Sequence, residues 1–222
     1  MPTLSEAESK QLLAGFGVPV ATEELATTPH DAAAAAIRVG FPVVAKLCGR
    51  AIAHKSERGL VRLGLTGAGA VEAAAVELLA AATPADGEVG VLVGAMVRGH
   101  RELIAGVVRD PQFGPCVMLG VGGVLAEAVA DVAFRLLPIS RTDAEELIGD
   151  LRSQALLGPV RGEPAVDRDR LADVLVALGE VMIAEPAIRS IDLNPLIIAD
   201  GVPIAVDALV EMDAGAGPGR DG

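Results

Sequence analysis

The chain has 222 residues, a hydrophobic fraction of 51% and only four aromatic residues, all of them phenylalanine. A chain of this length can bury a core of alanine, valine, leucine and isoleucine that needs no disulfide or structural metal. The formal net charge of −12 disfavours nucleic-acid binding, because an acidic surface repels the phosphate backbone. Cys48 and Cys116 lie in apolar segments and are expected to be buried free thiols in a reducing compartment.

The sequence shows no sign of export or membrane insertion. Its first residues lack the basic and apolar regions of a signal peptide. Apolar runs are interrupted well before the roughly 18 residues that a membrane span requires. We therefore expect a cytoplasmic protein without a membrane partner, whose Gly- and Ala-rich tail, residues 213–222, is disordered.

The pattern of apolar residues, caps and chain breakers predicts helices interleaved with strands. In chain order we expect a helix capped by Ser5 and Glu8, a helix at 29–39, strands at 43–47 and 59–65, a helix at 71–82, strands at 88–97, 102–109 and 116–119, helices at 142–152 and 169–183, and strands at 188–193, 196–199 and 202–206. The strands at 88–97 and 102–109 are predicted to form a hairpin through Arg98-Gly99-His100.

Strand pairs joined by short turns favour an α+β arrangement of two small lobes over a doubly wound sheet. We expect an N-terminal helix at residues 1–17, a smaller lobe at 18–97 and a larger lobe at 98–212, followed by the tail.

Lys46 interrupts the apolar strand Val43-Val44-Ala45-Lys46-Leu47. An unpaired buried ammonium group is costly, so this lysine needs a partner, and a nucleotide phosphate is one candidate. The alternative is a lysine on an edge strand whose ammonium group reaches water.

His54 lies in the loop Ala51-Ile52-Ala53-His54-Lys55-Ser56-Glu57, among small and polar residues. Its imidazole could act as a general base or accept a phosphoryl group, or it could be an ordinary surface histidine. His30, at a helix start, and His100, in a predicted turn, are weaker candidates for chemistry.

Gly120-Val121-Gly122-Gly123 follows a predicted strand. Backbone N–H groups in such a turn can approach a ligand closely, although the segment could equally be a tight structural turn. It is neither a P-loop nor a dinucleotide-binding fingerprint. Glu127 and Asp131 follow in an apolar stretch, where an acid should be paired or functional.

The segment Asp192-Leu193-Asn194-Pro195-Leu196 places Asp192 and Asn194 on one face of a strand. A hairpin through Asp200-Gly201 would bring Asp207 beside one of them. Two oxygen side chains on neighbouring strands suit Mg²⁺, which takes few protein ligands and retains waters and phosphates. The alternative is a pair of residues that stabilise turns.

Taken in order along the chain, these segments resemble a known family, the ATP-grasp (beta) subunits of NDP-forming acyl-CoA synthetases. Members include the beta subunit of ADP-forming acetate–CoA ligase, and the succinyl-CoA synthetase beta subunit is a relative. The resemblance covers about residues 4–212. It is carried by Lys46, Ile52-Ala53-His54-Lys55-Ser56-Glu57, Glu102-Leu103-Ile104, Arg109-Asp110-Pro111-Gln112-Phe113-Gly114-Pro115, Gly120-Val121-Gly122-Gly123 and Asp192-Leu193-Asn194-Pro195-Leu196.

The resemblance implies an ATP-grasp fold, in which two α+β lobes clasp ATP or ADP with Mg²⁺. It also implies a role for each of ten residues. His54 would be phosphorylated and Glu127 would help to hold the phosphohistidine; Lys46, Met96, Val97, Glu102, Gly122 and Gly123 would contact the nucleotide; Asn194 and Asp207 would bind the metal.

A separate partner is implied as well. In this family a CoA-binding alpha subunit carries the first phosphohistidine and most of the CoA and acyl-substrate site, so we expect a hetero-oligomer. The present sequence shows no CoA-binding Rossmann half and should not complete the reaction alone. It also has Leu60 where members usually have a second glycine after the His-Lys-Ser-Glu segment, and we expect this leucine to stiffen the loop.

Two other functions fit parts of this pattern. A nucleotide-sensing regulatory module that has lost turnover would bind nucleotide without phosphoryl exchange. A carboxylate–amine ligase would have no use for the His54 loop, so its activity would survive substitution of His54.

Overall fold

A computed structural model describes residues 2–52, 55, 57–123 and 129–213. The chain divides into two compact units. The smaller unit comprises residues 2–8 and 21–96, and the larger unit comprises residues 9–20 and everything from Val97 onward. Residues 1–17, which the sequence set apart as a helix, are thus shared between both units. The predicted disordered tail lies outside the described residues, apart from Asp213. No helix in the described part of the chain is long and apolar enough to cross a membrane.

The smaller unit contains a four-stranded antiparallel sheet in the order β1-β4-β2-β3. Its elements are the start of α1 (Glu6–Gly15), β1 (Glu23–Ala26), α2 (Pro29–Val39), β2 (Val43–Cys48), β3 (Val61–Leu65), α3 (Ala68–Ala80) and β4 (Gly90–Ala95). A 3-10 turn at Pro84–Asp86 precedes β4.

Small side chains build the core of the smaller unit. Helix α2 begins after the N-cap Thr28, whose side chain accepts a hydrogen bond from the Asp31 amide, and it buries four alanines. Helix α3 buries Val71 and Leu78 against the same sheet. Alanine favours the helix and lets two helices approach each other closely, so this unit can pack without aromatic residues.

The larger unit contains an antiparallel sheet in the order β10-β8-β5-β6-β7, with β9 paired to β8. Its elements are the rest of α1, β5 (Glu102–Asp110), β6 (Gly114–Val121), β7 (Val132–Leu136), α4 (Arg141–Gly149), α5 (Arg168–Ala184), β8 (Ile188–Ala199), β9 (Val202–Ala205) and β10 (Ala208–Met212). A 3-10 turn at Gln154–Leu157 connects α4 to α5.

Helix α5 covers one face of this sheet. Its apolar side, which includes Leu171, Leu175 and Leu178, is fully buried, and it packs on β5, β6, β8 and β9. Residues of the strands that point to this helix, such as Leu103 and Val107, are buried. The alternate residues therefore point to the opposite face, and these include Glu102, Asp192 and Asn194.

The predicted hairpin through Arg98-Gly99-His100 is wrong. Strand β4 belongs to the four-stranded sheet and β5 to the other sheet, so the two do not pair. The sequence also left β1, β7 and β10 unassigned, and it divided β8 into two strands at Asn194-Pro195. There β8 has one extra residue relative to β5, because Leu103 pairs with Leu196 and Ala105 with Leu193.

Candidate functional site

Lys46 lies at the centre of a sheet. Strand β2 has β3 on one side and β4 on the other, which excludes the alternative of a lysine on an edge strand. The side chain is only 14% exposed, and its Nζ donates to Glu6 Oε1 at 2.6 Å. The partner that the sequence required is thus a carboxylate 40 positions away, a pairing that no local pattern encodes.

Glu6 connects two lysines. Its side chain is 3% exposed; one carboxylate oxygen accepts from Lys46, and the other accepts from Lys55. The Lys55 side chain is 13% exposed, so all three charges are shielded from water. Glu6 therefore offsets part of the positive charge of the two lysines and holds them close together.

The segment around His54 is anchored by the residues that flank it. Ile52 is buried and its amide donates to Gly49 O, and the Lys55 carbonyl accepts from the Leu60 amide at 2.8 Å. His54 itself lies outside the described residues.

A second ion pair anchors the far end of this loop. Arg58 donates two hydrogen bonds of 2.8 Å to the two carboxylate oxygens of Asp86, which is 4% exposed. These bonds, with those from the Thr83 amide and hydroxyl, hold the pKa of Asp86 well below its usual range. Asp86 therefore stays charged and keeps the loop end fixed to the turn before β4.

The β8–β10 region brings Asn194 and Asp207 opposite each other. The β8–β9 turn contains Asp200 and Gly201, both with positive φ, as a two-residue hairpin turn requires. The Val206 amide donates to Pro195 O, and Ala208 pairs with Leu193. Asp207 lies between these two pairs and therefore faces Asn194 in register.

The electrostatics of this face suit a divalent cation. Asp192 points to the same side of β8 as Asn194. Reduced hydration, followed by the charges of Asp207 and Glu211, raises the pKa of Asp192. Among the described residues, no group of three or more His, Cys, Asp or Glu side chains could hold a metal by itself. The donors present, one amide and one carboxylate oxygen, fit an ion that completes its shell with water and phosphate, as Mg²⁺ does.

Gly122 lies directly against the backbone of β5. Its amide donates to Glu102 O at 2.8 Å, and a Cβ at this position would come within 3.1 Å of the Glu102 carbonyl carbon. Gly123 follows with φ +82, a conformation that favours glycine. These two glycines and Glu102 thus form one local cluster.

The chain between the two sheets begins at Met96, whose amide donates to Pro42 O, and Val97 is the first residue of the second part of the larger unit. His100 lies three residues after Val97. Its backbone amide and its ring Nδ1 are hydrogen-bonded to the Glu163 carboxylate, 63 positions further along the chain. The hydrogen bond from His100, together with one from Arg101, lowers the pKa of Glu163.

Arg101 is a buried cation that the sequence analysis missed. It is 5% exposed, and its guanidinium donates to the carbonyls of Leu156, Gly158 and Pro164 as well as to Glu163. It therefore fixes the chain before β5 to the segment that precedes α5.

Glu127 lies outside the described residues, whereas Asp131 lies within them. Burial would raise the pKa of Asp131, but hydrogen bonds from Ser153 and the Arg152 amide lower it overall. Asp131 is 3% exposed and paired, so it fixes the chain before β7 in place.

The two cysteines differ from each other. Cys48 is buried as expected, and burial raises the pKa of its thiol. Cys116 is only half-buried, which corrects the prediction that both are buried, and desolvation raises its thiol pKa as well. Both are free thiols.

Comparison with known proteins identifies the family. A family profile described as an ATP-grasp domain matches residues 2–212. The chain belongs to the ATP-grasp family. The "Acetate--CoA ligase [ADP-forming] I subunit beta" of Pyrococcus furiosus is 36% identical over 208 residues, which are 92% of this chain and 90% of that protein.

Solved structures agree with this assignment. The "dinucleotide forming Acetyl-coenzyme A synthetase 1" of Ca. Korarchaeum cryptofilum, in complex with coenzyme A, Ca-AMPCP and HgCl+, is similar with a TM-score of 0.88 and 34% identity. The match covers 95% of this chain and 93% of that one. A second complex of that protein, with coenzyme A and Mg-AMPPCP, has a TM-score of 0.82 and 35% identity, over 95% of this chain and 92% of that one. In that complex a phosphohistidine segment points towards the nucleotide binding site.

These findings confirm the resemblance and the ATP-grasp fold that the sequence analysis gave. Within this ATP-grasp chain, the Arg-Asp-Pro-Gln-Phe-Gly-Pro segment forms the turn between β5 and β6. Arg109 donates to the carbonyl of Met182, near the end of α5, and to that of Ile188, the first residue of β8. Asp110 Oδ1 accepts from the Gln112 and Phe113 amides. Residues 109–115, which carried part of the resemblance, therefore have a structural role in forming and anchoring this turn.

Proposed function

We propose that this chain is the nucleotide-binding beta subunit of an ADP-forming acyl-CoA synthetase, which relays a phosphoryl group between ATP or ADP and a histidine. The observation that carries the proposal is the nearly end-to-end similarity to a subunit of that name, with 92% of one chain matched to 90% of the other. A regulatory module or a carboxylate–amine ligase would not account for this similarity.

In this proposal the smaller unit supplies the charge that receives phosphate. Lys46 would contact the phosphates of the nucleotide, with Lys55 as a second shielded cation on the same carboxylate. Phosphoryl transfer depends mainly on positioning and charge neutralisation, which is what fixed, shielded cations provide.

His54 would accept the terminal phosphoryl group of ATP. A nitrogen–phosphorus bond forms while the bond to the bridging oxygen breaks, and ADP leaves with the electron pair. In the other direction, ADP takes the same group from the imidazole. Glu127 would help to hold the phosphorylated ring.

The larger unit would hold the metal and the nucleotide. Asn194 and Asp207 would bind Mg²⁺, which neutralises charge on the phosphate oxygens when it is present. Gly122 and Gly123 would let the nucleotide approach the backbone beside Glu102, and Met96 and Val97 would line the adenine and ribose.

A CoA-binding alpha subunit would complete the enzyme. The name of the Pyrococcus relative identifies it as one subunit of a larger enzyme, and we infer that this chain likewise assembles with a chain that carries the first phosphohistidine and the acyl site. Co-purification of such a chain from the native host would support this part of the proposal.

The phosphoryl relay can be tested by labelling. The purified chain, alone and with its alpha partner, is incubated with [γ-³²P]ATP and Mg²⁺, and acid-labile, base-stable label is measured. We expect label in the wild type and none in His54→Ala. His30→Ala is the matched control, because His30 is an exposed histidine at the start of α2, and it should be labelled like the wild type.

Two results would contradict the proposal. Nucleotide binding without label under either condition would favour a regulatory module. Turnover with the alpha chain that survives His54→Ala would exclude the relay and favour a carboxylate–amine ligase.

A further inference from the structure

Two lysines that share one carboxylate form a feature that the sequence did not predict. Glu6 is the first residue of α1, Lys46 lies in the middle of β2, and Lys55 lies in the loop after β2. All three belong to the smaller unit, and each side chain is at most 14% exposed. Few charged groups in proteins are shielded this far unless they are paired.

The carboxylate is what allows the two ammonium groups to lie together. Two like charges a few ångströms apart repel each other, and this repulsion is screened least where water is excluded. Glu6 places one oxygen against each lysine and so offsets that repulsion. If the carboxylate is removed, each lysine loses a bond to a shielded anion, and the repulsion between the two cations increases.

Lys55 also connects this group to the loop. It directly follows His54 in the chain, and its carbonyl accepts from the Leu60 amide. The side chain and the backbone of Lys55 are therefore both held in place.

We propose that Glu6 is a positioning residue for phosphoryl transfer, which holds the ammonium group of Lys46 beside that of Lys55 and thereby fixes Lys55 relative to the proposed phosphate-binding lysine. This inference rests on the proposed function, since it takes His54 as the phosphoryl acceptor and Lys46 as the phosphate contact. It assigns to α1 a part in the site, because Glu6 acts through the two lysines and need not touch the substrate.

The test compares two carboxylates on the same helix. Glu6→Gln removes the shielded charge at nearly constant side-chain volume. Glu8→Gln is the matched control, because Glu8 forms an exposed pair with Arg50 and has no bond to Lys46 or Lys55 in the described contacts. The full chain is used, with its alpha partner where one is available.

We expect Glu6→Gln to slow ³²P labelling at saturating ATP by roughly tenfold to a hundredfold, the cost of a misplacement of about 1 Å. The dissociation constant for Mg-ADP should stay within about threefold of the wild type, since Lys46 retains its charge. A defect in folding would instead lower the amount of protein that binds nucleotide. Glu8→Gln should match the wild type in both measurements, and Glu6→Asp, which restores the charge, should recover part of the labelling rate.

Hydrogen–deuterium exchange provides a measurement that does not depend on phosphoryl chemistry. In Glu6→Gln, the peptide that contains Leu60 should exchange faster than in the wild type, because the Leu60 amide is bonded to the Lys55 carbonyl. Glu8→Gln should show no change there. If Glu6→Gln does not fold, Lys55→Gln can be used instead, because it removes the ion pair between Glu6 and residue 55 and leaves the pair with Lys46 intact. It should give the same slower labelling and the same faster exchange of the Leu60 peptide.

The outcomes separate the two proposals. A wild type that takes no label contradicts the proposed function, and the exchange measurement then decides alone whether Glu6 anchors the loop. A labelled wild type with equal labelling rates in Glu6→Gln and Glu8→Gln overturns the positioning role, as does unchanged exchange in the Leu60 peptide.

Discussion

At the scale of single residues, the partner of a charged group decides what that group can do. Lys46 is shielded and paired with Glu6, so its charge is fixed in place. Asp192 is in the opposite situation, because reduced hydration, and then the charges of the neighbouring acids Asp207 and Glu211, raise its pKa. An accumulation of negative charge on one sheet face is relieved by a bound cation, and this gives the proposed metal site a physical basis.

Substitution of one of these acids should separate metal binding from general electrostatics. Asp207→Asn and Glu211→Gln each remove a negative charge near Asp192, so both should lower the pKa of Asp192, as measured by carboxyl-carbon NMR. Only Asp207→Asn should raise the Mg²⁺ concentration required for nucleotide binding, by at least about tenfold, because it alone removes a proposed ligand.

Glu211→Gln serves as the control here, since Glu211 is bonded to the Ser190 hydroxyl at 2.6 Å. An equal requirement for Mg²⁺ in both variants would show that Asp207 affects the site only through its negative charge and does not bind the metal.

At the scale of elements, local signals define the helices well. Helix α2 was predicted at 29–39 and begins and ends there, since Thr28 caps its first turn and Gly40 ends it with a positive φ. Helix α4 was predicted at 142–152 and spans Arg141–Gly149; its start is set by a capping box of Ser140 and Asp143, and it ends three residues earlier than predicted. Such caps satisfy backbone N–H groups that the helix leaves unpaired, so their effect is local and visible in the sequence.

The cap of α2 can be tested with two adjacent threonines. Thr28→Ala should lower the free energy of unfolding of the smaller unit by about 0.5–2 kcal/mol, because the Asp31 amide loses its acceptor. Thr27→Ala is the control, since Thr27 is exposed, lies outside the helix and does not cap it. Urea unfolding followed by circular dichroism gives both values, and an equal loss in the two variants would argue against the cap.

At the scale of the whole molecule, the acidic sequence is organised into ion pairs and capping bonds. These hold the pKa of several carboxyl groups below the ordinary value, namely those of Glu8, Glu24, Asp86, Asp131, Asp143 and Glu163. The native state therefore binds fewer protons than the unfolded chain at acid pH.

This imbalance predicts acid sensitivity. The stabilisation from these groups is complete above the unfolded-state pKa values and is lost as pH falls through the folded ones, a window that for Glu8 runs from 4.5 down to about 2. We expect the free energy of unfolding, measured in urea, to fall steadily below about pH 4.5. Asp192, with its raised pKa, should oppose this trend slightly.

Glu8→Gln isolates one contribution to this acid sensitivity. It removes a group whose pKa is lowered to about 2, chiefly by its bonds to Arg50. The difference in stability between the wild type and this variant should therefore shrink as pH falls from 4.5 toward 2. A difference that stays constant across this range would show that Glu8 contributes through packing or capping and not through its charge.

The sequence by itself determined the helices, most strands and the family, because caps, periodicity and short motifs act over a few positions; its site residues stay predictions. It also showed that Lys46 requires a partner. Only the tertiary structure identified that partner as Glu6, separated β4 from β5 into different sheets, and buried Arg101 among carbonyls. Each of these depends on contacts between residues far apart in the chain, where closure of the fold, and no local preference, decides which groups meet.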